Sequence, residues 1–221
     1  MAFYRIKGSK RRIKIGKIIC LIRTYKDHAY EMGAKTPDKP LFFLKPDTTI
    51  ILSGDSIRLP PTSLSSCIHH EVELGVVISD TAYNIRENDA EKYILGYLVA
   101  LDITARDIQN ELKKQGLPWD VAKSFDTFAP ISDVVLKEHI PNPNNIEILL
   151  KINHIIKQRV NTSDMIFPVQ YIISYISRIM TLKRGDLILT GTPQGVGEIH
   201  EGDIIEAYLG NHCSLKIDVR R

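Results

Sequence analysis

The stretch Cys67–Asp80, CIHHEVELGVVISD, sets two glutamates two positions apart inside a run that otherwise reads as a buried strand. Side chains alternate faces along an extended chain, so Glu71, Glu73, Gly75 and Val77 point one way and Val72, Leu74 and Val76 the other. Like charges ~4 Å apart repel by about 4 kcal/mol at an effective dielectric near 20. Two carboxylates on one face of so apolar a segment call for a cation between them, or for a retained proton. The alternative for a generic E-x-E pair is a one-sided sheet whose glutamates face solvent.

Working outward, most of the chain reads as short strands between turn signals. KIICLIR (17–23), LFFLKP (41–46) and DSIRLPP (55–61) precede the central stretch, and YILGYLVALDI (93–103) follows it. IEILLKINHIIKQRVNT (146–162) has the period-2 spacing of a hairpin turning near Asn153, and GDLILTGTP (185–193) and GDIIEAYLGNHCSLKIDV (202–219) close the chain. Two segments carry helical spacing. TARDIQNELKKQG (104–116) offers Thr104 as N-cap and Gly116 as a stop, and PVQYIISYISRIMTLKRGD (168–186) runs to a stop at Gly185. With no βαβ alternation, the expected class is mostly β with a few helices (α+β).

The 221 residues suffice for one domain with a large core, and 43% hydrophobic and 25% charged residues are ordinary for a globular protein. A net charge of +3 does not favour nucleic acid as a partner. Cys20, Cys67 and Cys213 are widely spaced without a CxxC pair, which argues for a reducing compartment and against a disulfide framework or zinc ribbon. No apolar run approaches the ~18 residues that would span a membrane. Residues 1–26 are basic and free of acid. They read as a mitochondrial leader, a phosphate-binding patch or a solvated basic edge, with residues 1–16 an extension to a domain spanning 17–221.

A third carboxylate answers the opening pair. Asp102 ends the strand YLVALD, where it can converge with Glu71 and Glu73 on one cation. Three carboxylates without His or Cys suit a hard ion, Mg²⁺ or Mn²⁺. Left bare and ionised, three such charges would cost roughly 10 kcal/mol by the same Coulomb relation. RTYKDHAYE sets His28 and Glu31 one helical turn apart, a carboxylate that can orient an imidazole base. Arg106, Gln109 and Lys123 follow Asp102 as donors for an anionic substrate, against the bland alternatives of a surface ion pair and a solvated lysine. LTGTPQGVG ends a strand in a Gly-rich turn whose N–H groups, with Thr192, could hold a carboxylate, though it lacks the P-loop ending. His70 points away from Glu71 and reads as a core or supporting histidine, Trp119 as core. His139, His154, His200 and His212 show no metal spacing. Neither a G-x-S-x-G nor a Cys–His nucleophile pattern is present.

Taken together, RTYKDH, LFFLKP, HHEVELGVVI, GYLVALDITARDIQ, GLPWDVAKSFDTFAP, PVQYIISYIS and GDLILTGTPQGVG resemble the fumarylacetoacetate hydrolase family, in its short acylpyruvase-like branch, from about Ile18 to the C-terminus. The resemblance implies a mixed β-roll, a homodimer without nucleic-acid or membrane partners, and one Mg²⁺ or Mn²⁺ held by Glu71, Glu73 and Asp102. It implies catalytic roles for His28 and Glu31 as a water-activating dyad on a lid, and for Lys123 and Gln109 at the oxyanion. Arg106, Thr192, Arg23 and Lys45 would contact substrate. The implied activity is cleavage of acylpyruvates to pyruvate and a carboxylic acid, with decarboxylation of oxaloacetate, in the mitochondrial matrix or cytoplasm. Oxaloacetate tautomerisation or 2-oxo-acid isomerisation on the same site, and a non-catalytic metal-binding scaffold, are the alternatives. Thr24 stands where relatives commonly have Asn.

Overall fold

A computed structural model describes residues 2–26 and 36–221. Its largest sheet has the order Leu41–Lys45, Ile18–Ile22, Leu187–Leu189, Val72–Ile78, Ile94–Leu101, Ala129–Ile131 and Ile50–Leu52, with Val135–Leu136 pairing onto Ile94–Leu101 as an eighth strand. Two pairings are parallel, Leu187–Leu189 with Ile18–Ile22 and Ala129–Ile131 with Ile50–Leu52, and the rest are antiparallel. A five-stranded sheet runs Ile155–Asn161, Glu147–Ile152, Ile204–Leu209, Cys213–Arg220 and Ser56–Arg58. The mixed, curled β architecture with few helices is the one expected.

Val72–Ile78 lies inside the large sheet and is buried at all seven positions. Its alternation divides it between two cores. Val72, Leu74, Val76 and Ile78 join the larger apolar cluster, and Val77 joins a smaller one with Leu98, Ala100, Leu187 and Leu189. Both faces are covered, so the one-sided sheet is excluded and Glu71 and Glu73 are buried with the strand. The expected hairpin turns at Asn153 and His154, with φ of 49° and 68°, the paired left-handed residues of a tight two-residue loop.

Both helices differ from expectation at one end. The first spans Arg106–Gln115 and ends at Gly116, whose φ of 67° provides the left-handed cap. Its N-cap is Ala105, however, without a side-chain bond. Thr104 is instead paired opposite His69 in a short strand, and its hydroxyl is taken by Glu71 and Lys123. The second helix spans Val169–Ile179 and turns extended at Met180, well before Gly185. Leu182 exchanges both backbone hydrogen bonds with Ala82, at 2.9 and 3.0 Å, which draws the chain out of the helix.

The basic N-terminal residues form a hairpin, Phe3–Ile6 with Ser9–Lys14. Lys7, Lys10, Arg11, Arg12 and Lys14 are exposed, while Tyr4, Ile6, Ile13 and Ile15 are buried in the smaller core. The Tyr4 hydroxyl donates to the Gly185 carbonyl at 3.0 Å. The stretch that composition leaves open as leader, patch or edge is therefore integrated into the fold.

Candidate metal centre and substrate pocket

Sheet register brings the three carboxylates together. Val72 pairs with Leu101 and Glu73 with Ala100, so Glu71 and Asp102 leave adjacent strands at the same level, tied by the Asp102 N–H to the Glu71 carbonyl at 2.9 Å. Glu71, Glu73 and Asp102 are all buried, and each offers an oxygen within 4.8 Å of the others.

Three cations surround this trio. Lys45, at the end of Leu41–Lys45, donates to Asp102 Oδ1 at 2.6 Å and to the Ile103 carbonyl at 3.2 Å. Lys123, from the short helix Asp120–Lys123, reaches Asp102 Oδ2 at 2.6 Å, Glu71 Oε2 at 3.1 Å and Thr104 Oγ1 at 2.6 Å. The Arg106 guanidinium holds Glu71 Oε1 and Gln109 Oε1, and its Nε donates to His69 Nδ1 at 3.3 Å. Burial alone would lower the Lys123 ammonium, but Asp102 and Glu71 outweigh it and hold the group above its usual range. It is a permanent donor.

Glu73 is different. Burial, followed by the charges of Asp102 and Glu71, raises its carboxyl well above the ordinary value. Its Oε2 accepts the Gly191 N–H at 2.6 Å, and among the described residues it has no ion-pair partner. The N–H of the Gly-rich turn thus holds a carboxylate of the protein itself. Gly191 has φ of +91°, and a Cβ there would lie 2.0 Å from Thr24 Oγ1. Thr24 in turn donates to the Thr190 carbonyl at 2.5 Å and so braces the turn behind the trio. Thr192 Oγ1 accepts from Gln158 Nε2 at 2.9 Å. Gln158 Oε1 accepts from the Val72 N–H at 3.0 Å and meets His70 Nδ1 at 2.9 Å, which places that ring proton on Nδ1 and gives His70 its supporting role.

The trio floors a pocket of about 40 Å³. At ~10–15 Å³ per water this holds a few waters, a fit for a small acid. Arg23, Arg106, Gln109, Lys123 and Thr192 line it together with the trio. Arg23 has φ of 57°, an uncommon conformation for a long side chain and one that turns it at the end of strand Ile18–Ile22. Lys45 is not in the wall; it stands behind Asp102 with no exposed side-chain surface, so in place of a direct substrate contact it holds that carboxylate. His28 and Glu31 lie outside the described residues.

Trp119, Phe43 and Lys113 are among the wall residues that escape the sequence reading. Trp119 is half-buried pocket wall rather than core, with Phe43 beside it at a centroid separation of 6.3 Å. Lys113 Nζ sits 5.0 Å from the Trp119 ring, and Lys123 Nζ 5.1 Å from Phe43. Burial, then Arg106, Arg23 and Lys123, lowers the Lys113 ammonium to about 8. Its signal was available: Arg106, Gln109 and Lys113 recur at three and four residues, one helix face.

Three carboxylates of hard oxygen donors, one of them disfavoured as a bare anion, fit a divalent cation of the Mg²⁺ or Mn²⁺ class. Residues 17–220 match the family model for the C-terminal domain of fumarylacetoacetate hydrolase. The chain belongs to the fumarylacetoacetate hydrolase family. It is 46% identical over 204 residues to the mitochondrial oxaloacetate tautomerase FAHD1 of Bos taurus, covering 92% of this chain and 91% of that protein. It is 47% identical over 213 residues to the mitochondrial protein of the same name from Arabidopsis thaliana, covering 96% and 95%. Among solved structures, fumarylpyruvate hydrolase from Pseudomonas aeruginosa, in complex with Mn²⁺ and pyruvate, superposes with a TM-score of 0.92 at 32% identity, covering 99% of this chain and 95% of that one. This is an enzyme family, and the site described here has the donors for a divalent metal. No helix among the described residues is long and apolar enough to cross a membrane.

Proposed function

We propose that this chain is a Mg²⁺- or Mn²⁺-dependent enzyme of short 2-oxo acids that interconverts the keto and enol forms of oxaloacetate. The single observation behind this reading is the charge arrangement in the small pocket. Among the described residues, Arg23, Lys45, Arg106, Lys113 and Lys123 face or back onto three carboxylates, so the site is net positive even with all three ionised, and more so with a divalent ion bound. A compact dianion suits a site of that sign. Oxaloacetate is such a dianion, and the names of the relatives from Bos taurus and Arabidopsis thaliana support it.

A divalent ion held by Glu71, Glu73 and Asp102 would act as a Lewis acid for the charge that grows on the C2 oxygen of a 2-oxo acid. Arg106 and Lys113, one above the other on their helix, bind the carboxylates. Lys123, kept protonated by Asp102 and Glu71, is a fixed positive charge beside developing negative charge on the substrate and is not the base. Gln109 orients the substrate, and in the enol-to-keto direction a water delivers a proton to C3 while the enol O–H proton passes to solvent, the reverse transfers running in the other direction. Phe43 and Trp119 exclude bulk water from one side.

A second reading is favoured by the Pseudomonas aeruginosa neighbour, a fumarylpyruvate hydrolase. Acylpyruvate cleavage expels the same pyruvate enolate as oxaloacetate decarboxylation, so one site can perform both. Hydrolysis additionally needs an activated water, the role of His28 with Glu31. The protein is further proposed to be a homodimer, checked by light scattering, and mitochondrial, as the relatives' names suggest, checked by imaging the tagged full chain.

The deciding experiment assays oxaloacetate tautomerisation and decarboxylation, and acetylpyruvate and fumarylpyruvate cleavage, in parallel with Mg²⁺, Mn²⁺ or chelator. Asp102→Ala is expected to abolish all of them; full activity of that variant overturns the metal assignment. His28→Ala is expected to slow cleavage far more than tautomerisation, and equal losses would refute that division of roles. Inactivity on every substrate with either metal would leave the non-catalytic scaffold.

A further inference from the structure

Outside the pocket, sheet register assembles a second group of metal-binding side chains. Ile68–His70 pairs antiparallel with Gly197–Glu198, His69 opposite Glu198, and the Ile199 N–H to the Ile68 carbonyl at 2.9 Å carries the ladder on. Cys67 and His69 therefore share one face of their strand, and Glu198 and His200 the same face of its neighbour. Cys67 Sγ lies 3.3 Å from His69 Nε2 and donates to Glu198 Oε1 at 3.0 Å. One ligand atom from each of Cys67, His69 and Glu198 lies within 4.8 Å of the other two. His200 Nε2 is 3.4 Å from Glu198 Oε2, so an exposed imidazole stands at the open side.

Metal–ligand distances of ~2.0–2.3 Å in a tetrahedron put neighbouring ligand atoms about 3.3–3.6 Å apart. The separations seen here are already close to that. A thiol, imidazoles and one carboxylate are a borderline-soft set, unlike the all-oxygen trio of the pocket, and they select Zn²⁺ over Mg²⁺. We propose that Cys67, His69 and Glu198, completed by His200, form a second metal site that takes Zn²⁺ and weakens substrate binding through Arg106.

The link runs through one ring. Arg106 Nε donates to His69 Nδ1, so Nδ1 bears the lone pair and the ring proton is on Nε2, toward Cys67. Zn²⁺ on Nε2 requires the other tautomer, with the proton on Nδ1, where it meets the Arg106 N–H donor to donor. The thiol proton leaves to solvent as the Zn–S bond forms. Arg106 then loses the contact that fixes its Nε edge, while its other nitrogens hold Glu71 and Gln109.

Co²⁺ is the probe for the site, added to the full chain saturated with Mg²⁺. The expected result is one equivalent of Co²⁺ giving a thiolate-to-cobalt charge-transfer band, displaced by Zn²⁺ and absent in Cys67→Ser. The all-oxygen trio cannot produce that band, so this readout stands apart from the proposed activity. In the Mg²⁺ enzyme, Zn²⁺ is expected to raise KM for oxaloacetate at least fivefold, and to leave Cys67→Ser unaffected. Absence of the band, or its persistence in Cys67→Ser, overturns the site. A band with unchanged KM overturns its link to Arg106.

Discussion

Glu73→Gln should make the metal-free protein more stable while removing its response to metal. Glu73 is 1% exposed, and carboxylate oxygens of Asp102 and Glu71 lie within 4.8 Å. At that distance each neighbour costs an ionised Glu73 about 3.5 kcal/mol at an effective dielectric of ~20, so the pair together costs about 7 kcal/mol before any cation offsets it. Lys123 offsets part of it, and the chain can avoid the rest by keeping the proton. At pH 7.5 that escape costs about 1.4 kcal/mol for each unit above a normal value of ~4.3, a ceiling of about 4 kcal/mol. Glutamine removes the charge, keeps the shape and can still accept the Gly191 N–H. A gain of about 2 kcal/mol is expected, or roughly 4–8 °C in Tm for a chain of this size. The pH dependence has a definite sign. Because the folded carboxyl sits above its ordinary value, the native state binds the extra proton, and metal-free stability falls as pH rises from the ordinary carboxylate range toward the folded value. Glu73→Gln loses that slope. The assay is thermal and urea unfolding in chelator and in saturating Mg²⁺, where binding at 100 times Kd adds about 2.7 kcal/mol to the wild type. A variant that melts below wild type in chelator, or gains as much from Mg²⁺, refutes the reasoning.

Lys113→Met should raise KM for oxaloacetate at least tenfold at pH 7, the worth of one charge-assisted hydrogen bond. In the wild type kcat/KM should fall above about 8 as Lys113 loses its charge, and an alkaline limb unchanged in the variant would assign the titration elsewhere. Gly191→Ala places a Cβ 2.0 Å from Thr24 Oγ1 at a φ of +91°, so the turn must move and release Glu73. A loss of about 2 kcal/mol in stability and weaker Mg²⁺ binding by calorimetry are expected. Tyr4→Ala removes a fully buried ring and its bond to Gly185, with an expected cost of about 3–5 kcal/mol in urea unfolding. Unchanged unfolding would show that the N-terminal hairpin is dispensable, as a leader would be.

What could be read from the chain, and what could not, follows from how far each residue's partners lie in sequence. The alternation of Glu71 and Glu73 is local, and Asp102 ends the next strand, so antiparallel pairing carries all three to one place. Arg106 and Gln109 follow from one helical turn. Thr104 obeyed a local capping rule on paper, but its hydroxyl is claimed by Glu71 and Lys123, groups that only the folded sheet brings near. Trp119 reads as core because an apolar ring belongs there on average; a pocket wall is the other place that accepts one, and nothing in its neighbours distinguishes the two. The N-terminal hairpin hid in plain sight. Tyr4 and Ile6, and Ile13 and Ile15, have the period of a half-buried strand, yet the surrounding lysines and arginines dominate any compositional reading. Lys45 shows the same effect from the other side, since a lysine expected at a substrate turns out to be fully enclosed against Asp102. Such a burial is tolerable only because the partner charge is there to meet it, and that partner sits fifty-seven residues away. Charge at this site therefore reports a partner and not an exposure, which is why the site's electrostatics emerge only when the strands are laid side by side.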